Sequence, residues 1–135
     1  MDIKEFVEKN NLEKCKNLIK VEQLNNIEKE IKIKFGNELK KYILEYGYLA
    51  YEYIELYGIN SKQGIESDML KQTLYLHKYF PKTINYIAVE NLGDGNYYIV
   101  DNKDNIYKYI SEEDKIVDMQ LKLFKYIMNR FNEIL

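Results

Sequence analysis

Reactive side chains are scarce in this sequence, and those present are scattered. Cys15 is the single cysteine and His77 the single histidine. A zinc site draws its ligands mainly from those two residue types, and neither C-x-x-C nor H-E-x-x-H occurs, so no metal centre is expected. Cys15 stands at helical spacing with Leu12, Leu18 and Ile19, which assigns it to the core as a small apolar residue and not to nucleophilic work. With one cysteine no internal disulfide can form. His77 falls on the apolar side of its helical segment, and no G-x-S-x-G elbow supplies a serine for it to activate.

Carboxylates are the remaining candidates for catalysis. Glu52, Glu55, Glu66, Asp68, Glu90, Asp94 and Asp101 are spread through the middle of the chain. A glycosidase needs only two carboxyls at a set separation, so a small carboxylate-dependent hydrolase is one reading. Such enzymes use a long substrate groove and far more chain, which counts against it. Asp101-Asn102-Lys103-Asp104-Asn105 lacks the glycine and closing glutamate of a calcium loop, and tight turns use the same residues. Gly93-Asp94-Gly95 has the first two glycines of a phosphate cradle but lies between two strand-like runs, with no helix N-terminus to receive an anion. No catalytic residue and no cofactor is assigned.

Tyrosine is the residue in excess, with 14 copies and no tryptophan. Six of them (42, 46, 48, 51, 53 and 57) crowd one segment, and residues 97, 98, 107 and 109 are tyrosines too. Tyrosine is a good strand residue, and it also offers rigid contact area with a polar tip, as protein interfaces require.

The elements that must hold these residues can be read from periodicity. Ile3, Phe6 and Val7 start a helical stripe that Asn10-Asn11 interrupts; Leu12 to Ile19 and then Leu24, Ile27 and Ile31 carry it on. Asn37 is placed to cap a helix with Leu39, Ile43 and Leu44 inward, and Gly47 to end it. From Ala50 to Tyr57 the period falls to two, which predicts a strand. Ser67 then opens a helix stopped by Pro81. Ile84–Glu90, Tyr97–Asp101 and Ile106–Ile110 read as strands joined by short turns, hence antiparallel. Ser111-Glu112-Glu113-Asp114 resembles a capping box, and Val117, Leu121, Phe124, Met128 and Phe131 predict a long helix to the C-terminus. Strands grouped between helices, without regular alternation, predict an α+β fold: N-terminal helices, an antiparallel sheet including a three-strand meander, and a long C-terminal helix.

A chain of 135 residues without repeats or a Ser/Pro-rich linker fits one domain spanning 1–135. Hydrophobic residues make up 46% and charged residues 31%, a globular balance that excludes disorder. Charge is mixed throughout: residues 1–46 carry 10 basic and 9 acidic side chains, residues 47–110 carry 6 and 8, and the rest 4 and 5. Phosphate neutralisation needs a one-sided basic field, so direct nucleic-acid binding is not expected. Met1-Asp2-Ile3-Lys4-Glu5 has the character of neither a signal peptide nor an anchor, which leaves a cytoplasmic protein with no membrane partner as the expectation.

The run I-E-K-E-I-K-I-K-F-G-N-E-L-K-K-Y-I-L-E-Y-G at 27–47, followed by Y-I-E-L-Y-G-I at 53–59, resembles the opening of the SUKH superfamily, the Smi/Knr-type domain. I-A-V-E-N-L-G-D-G-N-Y-Y-I-V-D at 87–101 is similar to that family's meander, and I-Y-K-Y at 106–109 to its next strand. The resemblance covers roughly residues 21–135; it lacks the family's proline near Gly36-Asn37 and has Glu45-Tyr46-Gly47 where aromatic-Asn-Gly is frequent. It implies an α+β binding module without catalysis. Bacterial members are mostly immunity proteins that neutralise toxins, often nucleases, and eukaryotic relatives are regulatory interaction domains. The expected partner is therefore a cognate toxin protein, with a regulatory scaffold as the alternative. Carried over by position, Glu55 and Tyr57 fall on the strand-ending motif, and Asp94 and Asp101 on the meander motif. With Glu52 and Tyr53 beside them, these six are the expected partner-binding residues.

Overall fold

A computed structural model describes all 135 residues. Helix α1 (Ile3–Lys9) starts where the Asp2 carboxylate accepts the Glu5 N–H at 2.8 Å, and it ends at Asn10, ahead of Asn11 at φ 49°. The stripe from Leu12 to Ile19 is not helical. Glu13–Lys14 forms a short strand, β1, and the Cys15 N–H donates to the Tyr46 carbonyl at 2.8 Å. Leu12, Cys15 and Ile19 are buried as their spacing implies, while Leu18 is not. A long-range partner strand supplies the backbone bonds that a helix would have made locally.

Helix α2 (Val21–Ile31) buries Leu24 and Ile27 and turns out through Lys32 at φ 59°. Helix α3 (Asn37–Glu45) follows, and Gly47 ends it in the left-handed region. Asn37 is not its cap. The free N–H groups of Glu38 and Leu39 both donate to the Asp104 carboxylate at 3.0 Å, from 65 residues further along the chain. Gly36 leaves the room: a Cβ there would stand 2.3 Å from an Asp104 oxygen.

The predicted strand over 50–57 is two strands. β2 (Leu49–Tyr51) and β3 (Ile54–Leu56) pair antiparallel, with Tyr51 opposite Ile54, and reverse through Glu52 at φ 54° and Tyr53. Alternation survives within each arm, but nothing in Glu52-Tyr53 has turn chemistry, so the reversal carries no local signal. With β1 they form a sheet in the order β1-β2-β3.

Helix α4 (Asp68–Tyr79) follows Ser67, whose hydroxyl makes no capping bond. Pro81 opens a 3-10 turn over Pro81–Thr83, which delays the next strand. β4 (Ile87–Gly93), β5 (Asn96–Val100) and β6 (Asn105–Ile110) form the expected meander. A fourth strand, β7 (Lys115–Lys122), extends it to the order β4-β5-β6-β7. Ser111–Asp114 is the turn into that strand and not a helix start; Asp114 has φ 49° and its carboxylate accepts the Tyr109 hydroxyl at 2.7 Å. The C-terminal helix, α5 (Leu123–Asn132), therefore begins later than the stripe from Val117 suggests. From Val117 to Lys122 half-buried Val117, Met119 and Leu121 alternate with exposed Asp118, Gln120 and Lys122, the two-residue period of a strand with one solvated face.

The fold is α+β, as expected. One core joins α1, α2, α3, the first sheet, α5 and the inner face of the second sheet. A smaller one, with Leu76, Ala88, Tyr97, Ile99 and Tyr109, lies between α4 and that sheet's outer face. No helix is long and apolar enough to cross a membrane.

Candidate functional site

Strand β3 joins the two sheets: directly after it, the Tyr57 N–H donates to the Val89 carbonyl of β4 at 2.7 Å. A depression opens on either side of it. One, of about 300 Å³, is lined by Glu13, Tyr48, Glu55, Tyr57, Asn60 and Asp68, with Ala50, Leu56, Gly58 and Gln63. The other, of about 410 Å³, is lined by Tyr53, Glu55, Tyr57, Glu90, Asn91, Leu92 and Gly93. Glu55 and Tyr57 belong to both, and no lysine or arginine lines either. Together they make one acidic groove with tyrosines along it.

Alternation along β3 builds this surface. Ile54 and Leu56 turn inward and are buried, while Glu55 points out. Glu52 and Tyr53 form the exposed hairpin tip, and Tyr53 is 74% exposed. Gly58 ends the motif because a Cβ there would lie 1.5 Å from the Gly47 carbonyl oxygen. That glycine is a packing requirement, whereas Glu55 faces solvent and Tyr57 is half-buried, packed against both cores with one side on the groove. Glu13, Glu55 and Asp68 take part in no ion pair. Burial pushes the Tyr57 phenol up to about 12, and burial with the neighbouring Glu13 charge raises Tyr48. Both phenols are protonated donors at neutral pH.

Of the six expected partner-binding residues, three line the groove: Tyr53, Glu55 and Tyr57. Glu52 stands beside Tyr53 at the exposed hairpin tip, and Asp94, exposed at φ 52°, follows the lining residue Gly93 in the chain; neither lines the groove itself. Asp101 stands at the opposite end of β5, which at five residues is about 17 Å long. Its carboxylate closes the β5–β6 turn: one oxygen accepts the N–H groups of Lys103 and Asn105 at 2.9 Å, the other the Asn105 side chain at 3.1 Å and the Tyr107 hydroxyl at 3.2 Å. Burial alone would raise Asp101, but these four bonds outweigh it and hold the group below the usual carboxylate range. Glu13, Tyr48, Asn60 and Asp68 line the groove and are not among the six. Glu13 arrives on β1, which the periodicity reads as helix, so no local signal could have placed it.

Glu90, by contrast, is buried and spoken for. Arg130 of α5 grips it with Nε at 3.0 Å and Nη2 at 2.9 Å, and the Tyr126 hydroxyl donates to it as well. No three His, Cys, Asp or Glu side chains converge in a way that could hold a metal ion. What the groove offers chemically is acceptors for cationic groups, phenol donors and aromatic contact area.

The family model for SMI1-KNR4 cell-wall proteins (SUKH_5) matches residues 3–132. The chain belongs to the SUKH superfamily. The match takes in α1 and β1 of this SUKH domain, which the sequence resemblance from about residue 21 left out. Among curated proteins no relative matches. SUKH is not a known enzyme family.

Proposed function

We propose that this SUKH domain is a cytoplasmic immunity protein that binds a cognate toxin one-to-one through the β3 groove and neutralises it without catalysis. The observation that supports this reading is Glu55 and Tyr57 standing between two depressions that no base lines, the first of which adds the acids Glu13 and Asp68, free of ion pairs. Such a surface complements a basic one, and nucleases are basic where they meet phosphate, so a nuclease is the toxin class that fits best. Tyr53, exposed at the hairpin tip, adds an aromatic anchor of the kind that dominates interface energetics. Because the groove charges lie near solvent, the affinity is expected to fall as salt shortens the screening length.

Co-expression with the reading frames flanking its gene, followed by copurification, tests the proposal. The expected result is a stable complex with a toxic protein whose killing the domain suppresses. Truncating true anchors weakens such a complex by about 2 kcal/mol or more each. A Glu55→Ala, Asp94→Ala protein that protects cells as well as the parent would remove the groove from the account. Copurification with a harmless protein instead would make the domain a regulatory scaffold.

A further inference from the structure

Beneath the groove lies the Glu90–Arg130 pair, with side chains only 5% and 18% exposed. The register of β4 on β5 shifts on both sides of Glu90, between Ala88 and Glu90 and again between Asn91 and Gly93. Register shifts of this kind loosen a ladder and re-aim the strand that carries them. Between them, Glu90 is clamped from α5 by the Arg130 fork and the Tyr126 hydroxyl. Arg130 is itself held by Glu133 at 2.8 Å, and the Tyr126 ring packs on Tyr98 at 4.8 Å. One residue before Glu90, the Val89 carbonyl holds the Tyr57 N–H; one residue after it, the Asn91–Gly93 rim of the groove begins.

A buried ion pair contributes little net stability compared with a well-packed apolar pair of the same volume, because desolvation offsets the attraction. Its distinguishing property is direction: a bidentate guanidinium fixes its carboxylate in angle as well as distance. We propose that Glu90 and Arg130 are positioning residues, whose work is to fix the β4 wall of the groove and through it Tyr57. That the wall serves a partner rests on the immunity-protein reading; that the pair positions it does not.

Site-resolved amide exchange on the free protein tests this without any partner. A Glu90→Leu, Tyr126→Phe, Arg130→Met triple variant replaces the pair, and the hydroxyl that donates to it, by apolar groups. Its urea midpoint is expected to match or exceed that of the parent, while the N–H of Tyr57 exchanges at least about tenfold faster and that of Ile43 is unchanged. Arg130→Lys keeps the charge and loses the fork, so it is expected to speed the same amide by a smaller factor with the midpoint held. Unchanged exchange at Tyr57 in the triple variant overturns the proposal. So does a fallen midpoint with all amides faster together, since the pair would then be a stability element alone. Neither outcome bears on copurification with a toxin, so the two readings fail separately.

Discussion

Asp101 and Asp104 occupy the turn between β5 and β6, and their oxygens are taken by the chain's own donors: four bonds to Asp101, two to Asp104. Glu13, Glu55 and Asp68 line the β3 groove and have no ion-pair partner in the chain. The residue type is the same and the use is opposite. A carboxylate saturated by internal N–H groups is part of the architecture. One left facing a concave, base-free surface is available to another molecule. The comparison also divides the family motifs: Asp101 belongs with the turn, Glu55 and Tyr57 with the groove.

The largest expected effect lies on the architectural side. Asp104→Ala removes an acceptor from one buried and one partly buried N–H group at the start of α3 and should cost about 3 kcal/mol in urea unfolding. A loss below about 1 kcal/mol would mean the α3 cap matters little and would blur the contrast. On the groove side, Glu13→Lys with Glu55→Lys should leave unfolding within about 0.5 kcal/mol of the parent, since both side chains are exposed and neither stands in the first turn of a helix. The same change should weaken toxin binding by about 2 kcal/mol for each residue, as titration calorimetry would read. A large stability loss there would make the groove acids architectural too.

Asp101→Asn sharpens the comparison through pH. The folded-state pKa of Asp101 is lowered, so its charged form adds stability that is present above the unfolded value, about 3.9, and is lost as pH falls through the folded value. Asp101→Asn should therefore cost about 1 kcal/mol at pH 7, and the gap to the parent should close under acid conditions. A gap that stays constant with pH would remove the charge from the explanation. Smallest of all, Tyr53→Ala should alter stability by less than about 0.5 kcal/mol, because a side chain 74% exposed loses little packing.

Much of this fold was legible. The stripe of Ile3, Phe6 and Val7, the stripe of Leu24 and Ile27, the stop at Pro81 and the glycine- and asparagine-rich turns of the meander are local signals, and local physics answered them. Glu55 and Tyr57 were legible through their motif. The segments misread were Leu12–Ile19, the Glu52-Tyr53 reversal and Lys115–Lys122. The first pairs with a strand far along the chain, the second turns without turn residues, and the last is the return arm of a hairpin with β6 whose apolar residues Val117 and Leu121 also fall at helical spacing.

By itself, then, the sequence determined which residues are buried in its well-patterned helices, which short turns force antiparallel neighbours, and that its acids and tyrosines outnumber any reactive group. Tertiary structure decided what those acids do. Whether a carboxylate meets an N–H of its own chain depends on residues 65 or more positions away, as for Asp104 and Leu39. Hydrogen bonding acts over about 3 Å, and only the folded backbone sets which groups come that close.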